Sequence, residues 1–295
     1  MVRDLYPFAG RRLDRRGLAL HYLDEGAGPP VVAVHGNPTW SFFFRDLVLG
    51  LRDICRVVVP DHIGCGRSDK PPDTRYRYTL DSRVDDLEAL LDHLGLVRDV
   101  TLVLHDWGGL IGMAVAARRP ERIARLVVLN TAAFRRPAGK PLPWSIRACR
   151  VPGLGPLLVR GLNAFCRGAA RACVVRPLAP EVQAGYFEPY DTRAHRIAVL
   201  RFVQDIPLRP GDPAWATLCE VENALARFRT VPVLVCWGER DFVFDGDYLA
   251  EWRRRFPAAE VHRFPAAGHY VLEDAGPEVL AHVRRFVSGG EGSSA

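Results

Sequence analysis

The sequence predicts an α/β fold with a mostly parallel sheet and helices on both faces. Three observations predict it. Short apolar runs alternate with longer amphipathic ones along most of the 295 residues. Several of the short runs are β-branched and apolar throughout, as strands covered on both faces must be. The rhythm then breaks once, between about Ala133 and Leu218, where prolines and glycines accumulate and helix-like pieces such as His195–Val203 have no strands between them.

In order, the strands are expected at Leu18–Leu23, Val31–His35, Arg56–Pro60, Val100–His105, Arg125–Asn130, Val233–Trp237 and Glu260–Phe264. Helices are expected near Trp40–Leu51, Leu80–Leu94, Gly108–Arg118, Asp247–Arg255 and Pro277–Val287, where apolar residues recur at helical spacing. The break reads as a helical cap over the carboxyl ends of the strands, the edge where open α/β sheets bind ligands. The expected division is a first core segment 1–132, a cap 133–218, a second core segment 219–288 and a loose tail 289–295.

Hydrophobic residues make up 48% and the formal net charge is +6, almost all through arginine. The arginines are scattered without a compact basic block, so a nucleic-acid partner is not expected. The seven cysteines include no Cys-x-x-Cys and no zinc-like spacing, and they read as reduced structural thiols. The first residues lack the apolar core of a secretion signal, and no uninterrupted apolar run reaches the length of a membrane span. A cytoplasmic protein is the expectation.

Four segments carry chemistry. In VTLVLHDWGG (100–109) a strand runs into a helix, a sharp turn that lifts its central side chain out of the sheet. Many such elbows hold a serine; here the residue is Asp106, followed by Trp107. Gly108 and Gly109 suit a tight turn, while Leu104 stands where many elbows have glycine. Aspartate is also a favoured helix N-cap, which leaves a purely structural role open. In VHGNPTWSFFFRDL (34–47), Asn37 sits in a strand-to-helix loop whose backbone N–H can pair with that of Trp107 around an oxyanion. The side chains of Asn37 and Trp107 are donors too. In VCWGERDFVFD, Asp241 follows a strand where an acid orienting a histidine would sit, with Asp245 and Asp247 as rivals. In PAAGHYVLEDAGPE, His269 follows the last strand. The order nucleophile, acid, histidine is that of the α/β-hydrolase layout. His62 shapes a loop, His105 should point away from Asp106 by strand alternation, and His21, His93, His195, His262 and His282 show no evident partners.

These residues resemble the haloalkane dehalogenase family of α/β-hydrolases, through HGNPTWS (35–41), DHIGCGRSDKP (61–71), HDWGG (105–109), Asp241 and GHYVLED (268–274). The resemblance implies Asp106 as nucleophile, His269 as general base, Asp241 as the acid orienting it, and Asn37 with Trp107 as the anion-binding pair. It implies neither metal nor organic cofactor. Some relatives carry the acid after the strand ending near Asn130, where this chain has Asn. LYPF (5–8), RVDDLEALLDHLGL (83–96), NTAAF (130–134), KPLPW (140–144) and PYDTRAHRIAVLRFVQDIPL (189–208) are similar to the branch containing β-lactone decarboxylases of olefin biosynthesis. That similarity implies conversion of long-chain cis-3-alkyl-4-alkyl β-lactones to cis-alkene and carbon dioxide. It also implies a small hydrophobic substrate, and the Arg-rich surface suits assembly with acidic partner enzymes of olefin biosynthesis. Haloalkane hydrolysis is the alternative. Weaker ones are epoxide hydrolysis, with Tyr186 or Tyr190 as acid, and a non-catalytic receptor.

A carboxylate nucleophile has a chemical rationale. It is ionised near neutral pH and can displace a leaving group from an sp³ carbon. The resulting ester can be cleaved, whereas the ether a serine would form resists water.

Overall fold

The computed structural model describes residues 2–289. Its strands are β1 Arg11–Asp14, β2 Ala19–Glu25, β3 Pro30–Val34, β4 Arg56–Pro60, β5 Val100–Asp106, β6 Ile123–Thr131, β7 Val233–Gly238 and β8 Glu260–Phe264. They form one sheet in the order β1-β2-β4-β3-β5-β6-β7-β8. The β1/β2 and β2/β4 pairs are antiparallel and the rest are parallel. The longer helices are α1 Arg45–Leu51, α2 Leu80–His93, α3 Trp107–Arg118, α4 Trp144–Arg150, α5 Ala164–Ala172, α6 Pro180–Phe187, α7 Ile197–Gln204, α8 Trp215–Ala224, α9 Gly246–Arg255 and α10 Gly276–Val287.

Strand alternation builds two cores. Val32, Leu102, Leu104, Val128 and Val235 face α2, α3, α8 and α9. Val31, Val103, Val127, Leu129 and Cys236 face α1 and α10. Both faces are therefore buried, which explains why the central strands lack polar alternation. Among the described residues no helix is long and apolar enough to cross a membrane.

The described elements between β6 and β7 are all helical. α8 packs on α3 of the sheet layer. Arg83 of α2, fully buried, donates to Asp205 at the end of α7 at 3.0 Å, and its guanidinium lies 3.6 Å from the centre of the Phe202 ring.

The structure departs from the sequence reading in three places. The edge strand β1 was not expected, because Arg-Arg-Leu-Asp is charged and largely exposed, a composition suited to an unpaired edge. The helix expected at Trp40–Leu51 is a 3₁₀ turn over Ser41–Phe44 followed by α1. The structure also supplies partners for histidines that showed none. His21 is buried 2.8 Å from Asp61, His195 pairs with Asp191, and the His262 and His282 rings stack beside Glu260. Apart from Gly289, the tail 289–295 lies outside the described residues.

Candidate active site

The site is assembled at the carboxyl ends of the parallel strands. Asp106 ends β5 with φ 51° and ψ −125°, a backbone region that costs a non-glycine residue strain and persists only when its surroundings enforce it. Thr131 Oγ1, at the end of β6, donates to the Asp106 carbonyl. A Cβ on Gly108 would lie 1.9 Å from the Val34 carbonyl oxygen, and one on Gly36 would lie 1.9 Å from Asp106 Oδ1. Both positions must therefore be glycine, the first for the turn and the second for the carboxylate.

Asp106 occupies the N-cap of α3, yet its side chain makes no capping hydrogen bond. Instead the Asn37 backbone N–H donates to Oδ1 at 2.7 Å, and the neighbouring Trp107 backbone N–H also favours the charged carboxylate. Oδ2 faces His269 Nε2 at 3.6 Å. The carboxylate is nearly excluded from water. Burial raises its pKa above the ordinary value, against the lowering by His269 and the two backbone donors.

His269 Nδ1 donates to Asp241 Oδ2 at 2.7 Å. Burial alone would pull the imidazole down, but Asp241 and then Asp106 outweigh it, and the His269 pKa is raised. Asp241 is fixed by the backbone N–H groups of Val243 and Phe244 on Oδ1 and by Asn130 Nδ2 on Oδ2 at 3.0 Å. Asn130 also exchanges two hydrogen bonds with the Gly238 backbone. The rivals Asp245 and Asp247 pair with Lys140 instead.

Two supporting residues, Asn130 and Asp274, carry no local sign of their role in the sequence. Asn130 was noted only as the absence of an acid, yet it holds Asp241. His105 does point away from the cavity, where its Nε2 donates to the His269 carbonyl at 2.9 Å and its ring stacks on Phe43. Asp274, in the Gly-His-Tyr-Val-Leu-Glu-Asp run, accepts from the Gly268, Val175 and Arg176 backbones, tying the His269 loop to the helical segment. His62 locks its neighbouring loop to the Asn37 loop: its N–H donates to His35 Nε2, and its own Nε2 donates to the His35 carbonyl.

A cavity of about 410 Å³ opens above these groups. Asn37, Asp106, Trp107 and His269 line it together with apolar side chains that include Ile146, Leu158, Phe165 and Phe244. One Asn37 side-chain N–H is committed to the Val199 carbonyl at 3.2 Å. The Trp107 indole N–H has no hydrogen-bond partner among the described residues. Neither Tyr186 nor Tyr190 lines the cavity. Their hydroxyls donate to Glu273 and to the Thr39 carbonyl, so neither of the two tyrosines named for epoxide opening faces the site.

The sheet order, the strand-to-helix elbow and the convergence of its loops define an α/β-hydrolase-fold protein with a carboxylate at the elbow. The family model for the alpha/beta hydrolase fold matches residues 29–164. The cis-3-alkyl-4-alkyloxetan-2-one decarboxylase of Shewanella oneidensis is 52% identical, over 98% of this chain and 91% of that protein. A haloalkane dehalogenase of Mycolicibacterium paratuberculosis is 36% identical, over 94% and 92%. The solved haloalkane dehalogenase of Agrobacterium tumefaciens C58 superposes with a TM-score of 0.84 at 28% identity, covering 95% of this chain and 96% of that one. The chain belongs to the haloalkane dehalogenase family of α/β-hydrolases.

Proposed function

We propose that this chain decarboxylates long-chain cis-3-alkyl-4-alkyl β-lactones to cis-alkene and carbon dioxide, with residues 133–218 acting as the cap that shapes the substrate site. The observation that carries the reading is 52% identity to a protein named for that reaction, spanning nearly the whole of both chains. Against this, the dehalogenase of Mycolicibacterium paratuberculosis stands at 36%. The largely apolar lining of the cavity above Asp106 suits an alkyl-bearing substrate.

In this reading Asp106 attacks the ring carbon that bears the lactone oxygen. The new carbon–oxygen bond forms as the ring carbon–oxygen bond breaks, with inversion, and a carboxylate is released on the neighbouring carbon. Asn37 and Trp107 receive that carboxylate through their side-chain donors. Carbon dioxide then departs; the electrons of its carbon–carbon bond become the alkene, and Asp106 is expelled anti as a free carboxylate. Inversion followed by anti elimination conserves cis geometry. Water and protons balance without being consumed. An apolar, water-poor cavity favours loss of carbon dioxide, because the localised carboxylate charge disperses on the way to the transition state.

The general-base role implied for His269 needs a water to activate, and this reaction has none. Its raised pKa suits a different task. As an imidazolium held by Asp241, it stabilises the carboxylate that Asp106 becomes on expulsion. A hydrolytic dehalogenase would instead use the same pair, neutral at Nε2, to deprotonate water. That second reading is favoured by the names of the solved structures.

The test is product analysis of a long-chain cis-3,4-dialkyl β-lactone, extracted and detected cold because such lactones lose carbon dioxide in a hot injector. The expected product is cis-alkene with the wild-type chain and none with Asp106→Asn. Recovery of β-hydroxy acid would make the chain a lactone hydrolase. Unreacted lactone beside turnover of a haloalkane would transfer the assignment to dehalogenation.

A further inference from the structure

We infer that the outer face of the helical segment from Trp144 to Arg171 docks on an anionic lipid bilayer, placing the mouth of the cavity against the membrane. Of the eight large apolar side chains exposed among the described residues, five fall in one short stretch: Trp144, Val151, Leu154, Leu157 and Leu162. Trp144 is 81% exposed, and Leu157 and Leu162 are each 55% exposed. Single exposed apolar residues are ordinary, but a cluster of this kind marks an interaction surface. The same elements are buried on their other side. Ile146, Leu158, Phe165 and Ala169 line the cavity, so the exposed residues are its outer wall, and Trp144 stands at its rim.

Charge identifies the occupant. Between Ala133 and Pro180 the chain has nine arginines and lysines and no aspartate or glutamate, although the whole chain carries only +6. Arg147, Arg167 and Arg171 are exposed. They form no ion pair among the described residues, and no acidic residue lies within the segment to neutralise them. Tryptophan and leucine beside unpaired arginines on short helices is the composition that lies in a bilayer interface. The purpose of docking rests on the long-chain lactone proposed above, which partitions into lipid; the binding itself does not depend on that reading.

The test is co-sedimentation of the full chain with vesicles of equimolar phosphatidylglycerol and phosphatidylcholine at low salt. Vesicles of phosphatidylcholine alone serve as the comparison. The expected result is pelleting with the anionic vesicles only, reversed by salt. Each basic residue near an anionic leaflet is worth roughly fivefold in partitioning. The combined variant Arg147→Gln, Arg167→Gln and Arg171→Gln should therefore lose affinity on the order of a hundredfold. Leu154→Ser with Leu157→Ser should also weaken binding, and both variants should keep the wild-type melting temperature because the sites are exposed. No pelleting with anionic vesicles, or equal pelleting of the variants, overturns the inference. A surface reserved for an acidic protein would give the first of these results. Lactone turnover in detergent micelles is scored separately, so failure to dock and failure of the proposed chemistry are distinguishable.

Discussion

At the scale of single residues, the site couples a strained, water-excluded carboxylate to a histidine held between two acids. Replacing Asp106 by Asn keeps the shape and removes the nucleophile. Turnover should fall by about three orders of magnitude or more. The melting temperature should hold or rise: a buried carboxylate whose folded pKa lies above its unfolded one destabilises the fold at neutral pH, and the amide relieves that. The pH profile separates the two chemistries. Attack requires ionised Asp106, so turnover should climb as pH rises through its raised pKa, above the ordinary carboxylate range. If the imidazolium assists expulsion, turnover should then fall as pH rises through the raised pKa of His269, above 6.5. A base-catalysed hydrolysis would rise over that same interval. A steady-state profile on lactone that keeps rising there would remove the imidazolium role.

At the scale of elements, β5 and α3 meet more closely than their sequence suggests. Leu104, an atypical residue two before the elbow, fits because Gly112 leaves it space; a Cβ on Gly112 would lie 2.4 Å from Leu104 Cδ2. Gly112→Ala should cost about 1–3 kcal/mol in overpacking, offset in part by about 1 kcal/mol of helix propensity. Leu104→Ala should cost about 2–5 kcal/mol. Together they should cost less than their sum by about 1 kcal/mol, because the added methyl fills part of the vacated space. Urea denaturation of the four proteins checks this, and strict additivity would deny the contact. The central strands and long helices were legible because their apolar periodicity matches what the fold buries. β1 was not, since charged edge strands carry no such pattern. The support of Asp241 by Asn130 was illegible for another reason: its partners lie more than a hundred residues away in sequence, and nothing local marks them.

At the scale of the molecule, one buried ion pair pins the helical segment to the sheet layer. Arg83 is fully buried against Asp205 and Phe202, and removing it strands a buried carboxylate. Arg83→Ala should therefore cost about 3–5 kcal/mol in urea denaturation; a loss below about 1 kcal/mol would mean that the pair does not fasten the segment. The order of the chemistry-bearing motifs was readable in the sequence, because each sits at a strand end. The cavity was not, since its walls come from residues spread between Asn37 and His269 that only the fold brings together.

The central claim is that Asp106 is esterified and then expelled without water. It is tested most directly by turning over lactone in ¹⁸O-labelled water and weighing the peptide that contains Asp106. After many turnovers, confirmed by accumulated alkene, that peptide should carry no solvent oxygen. Label on the Asp106 carboxylate in step with turnover would show that water opens the ester at its carbonyl, and would return the chain to hydrolytic chemistry.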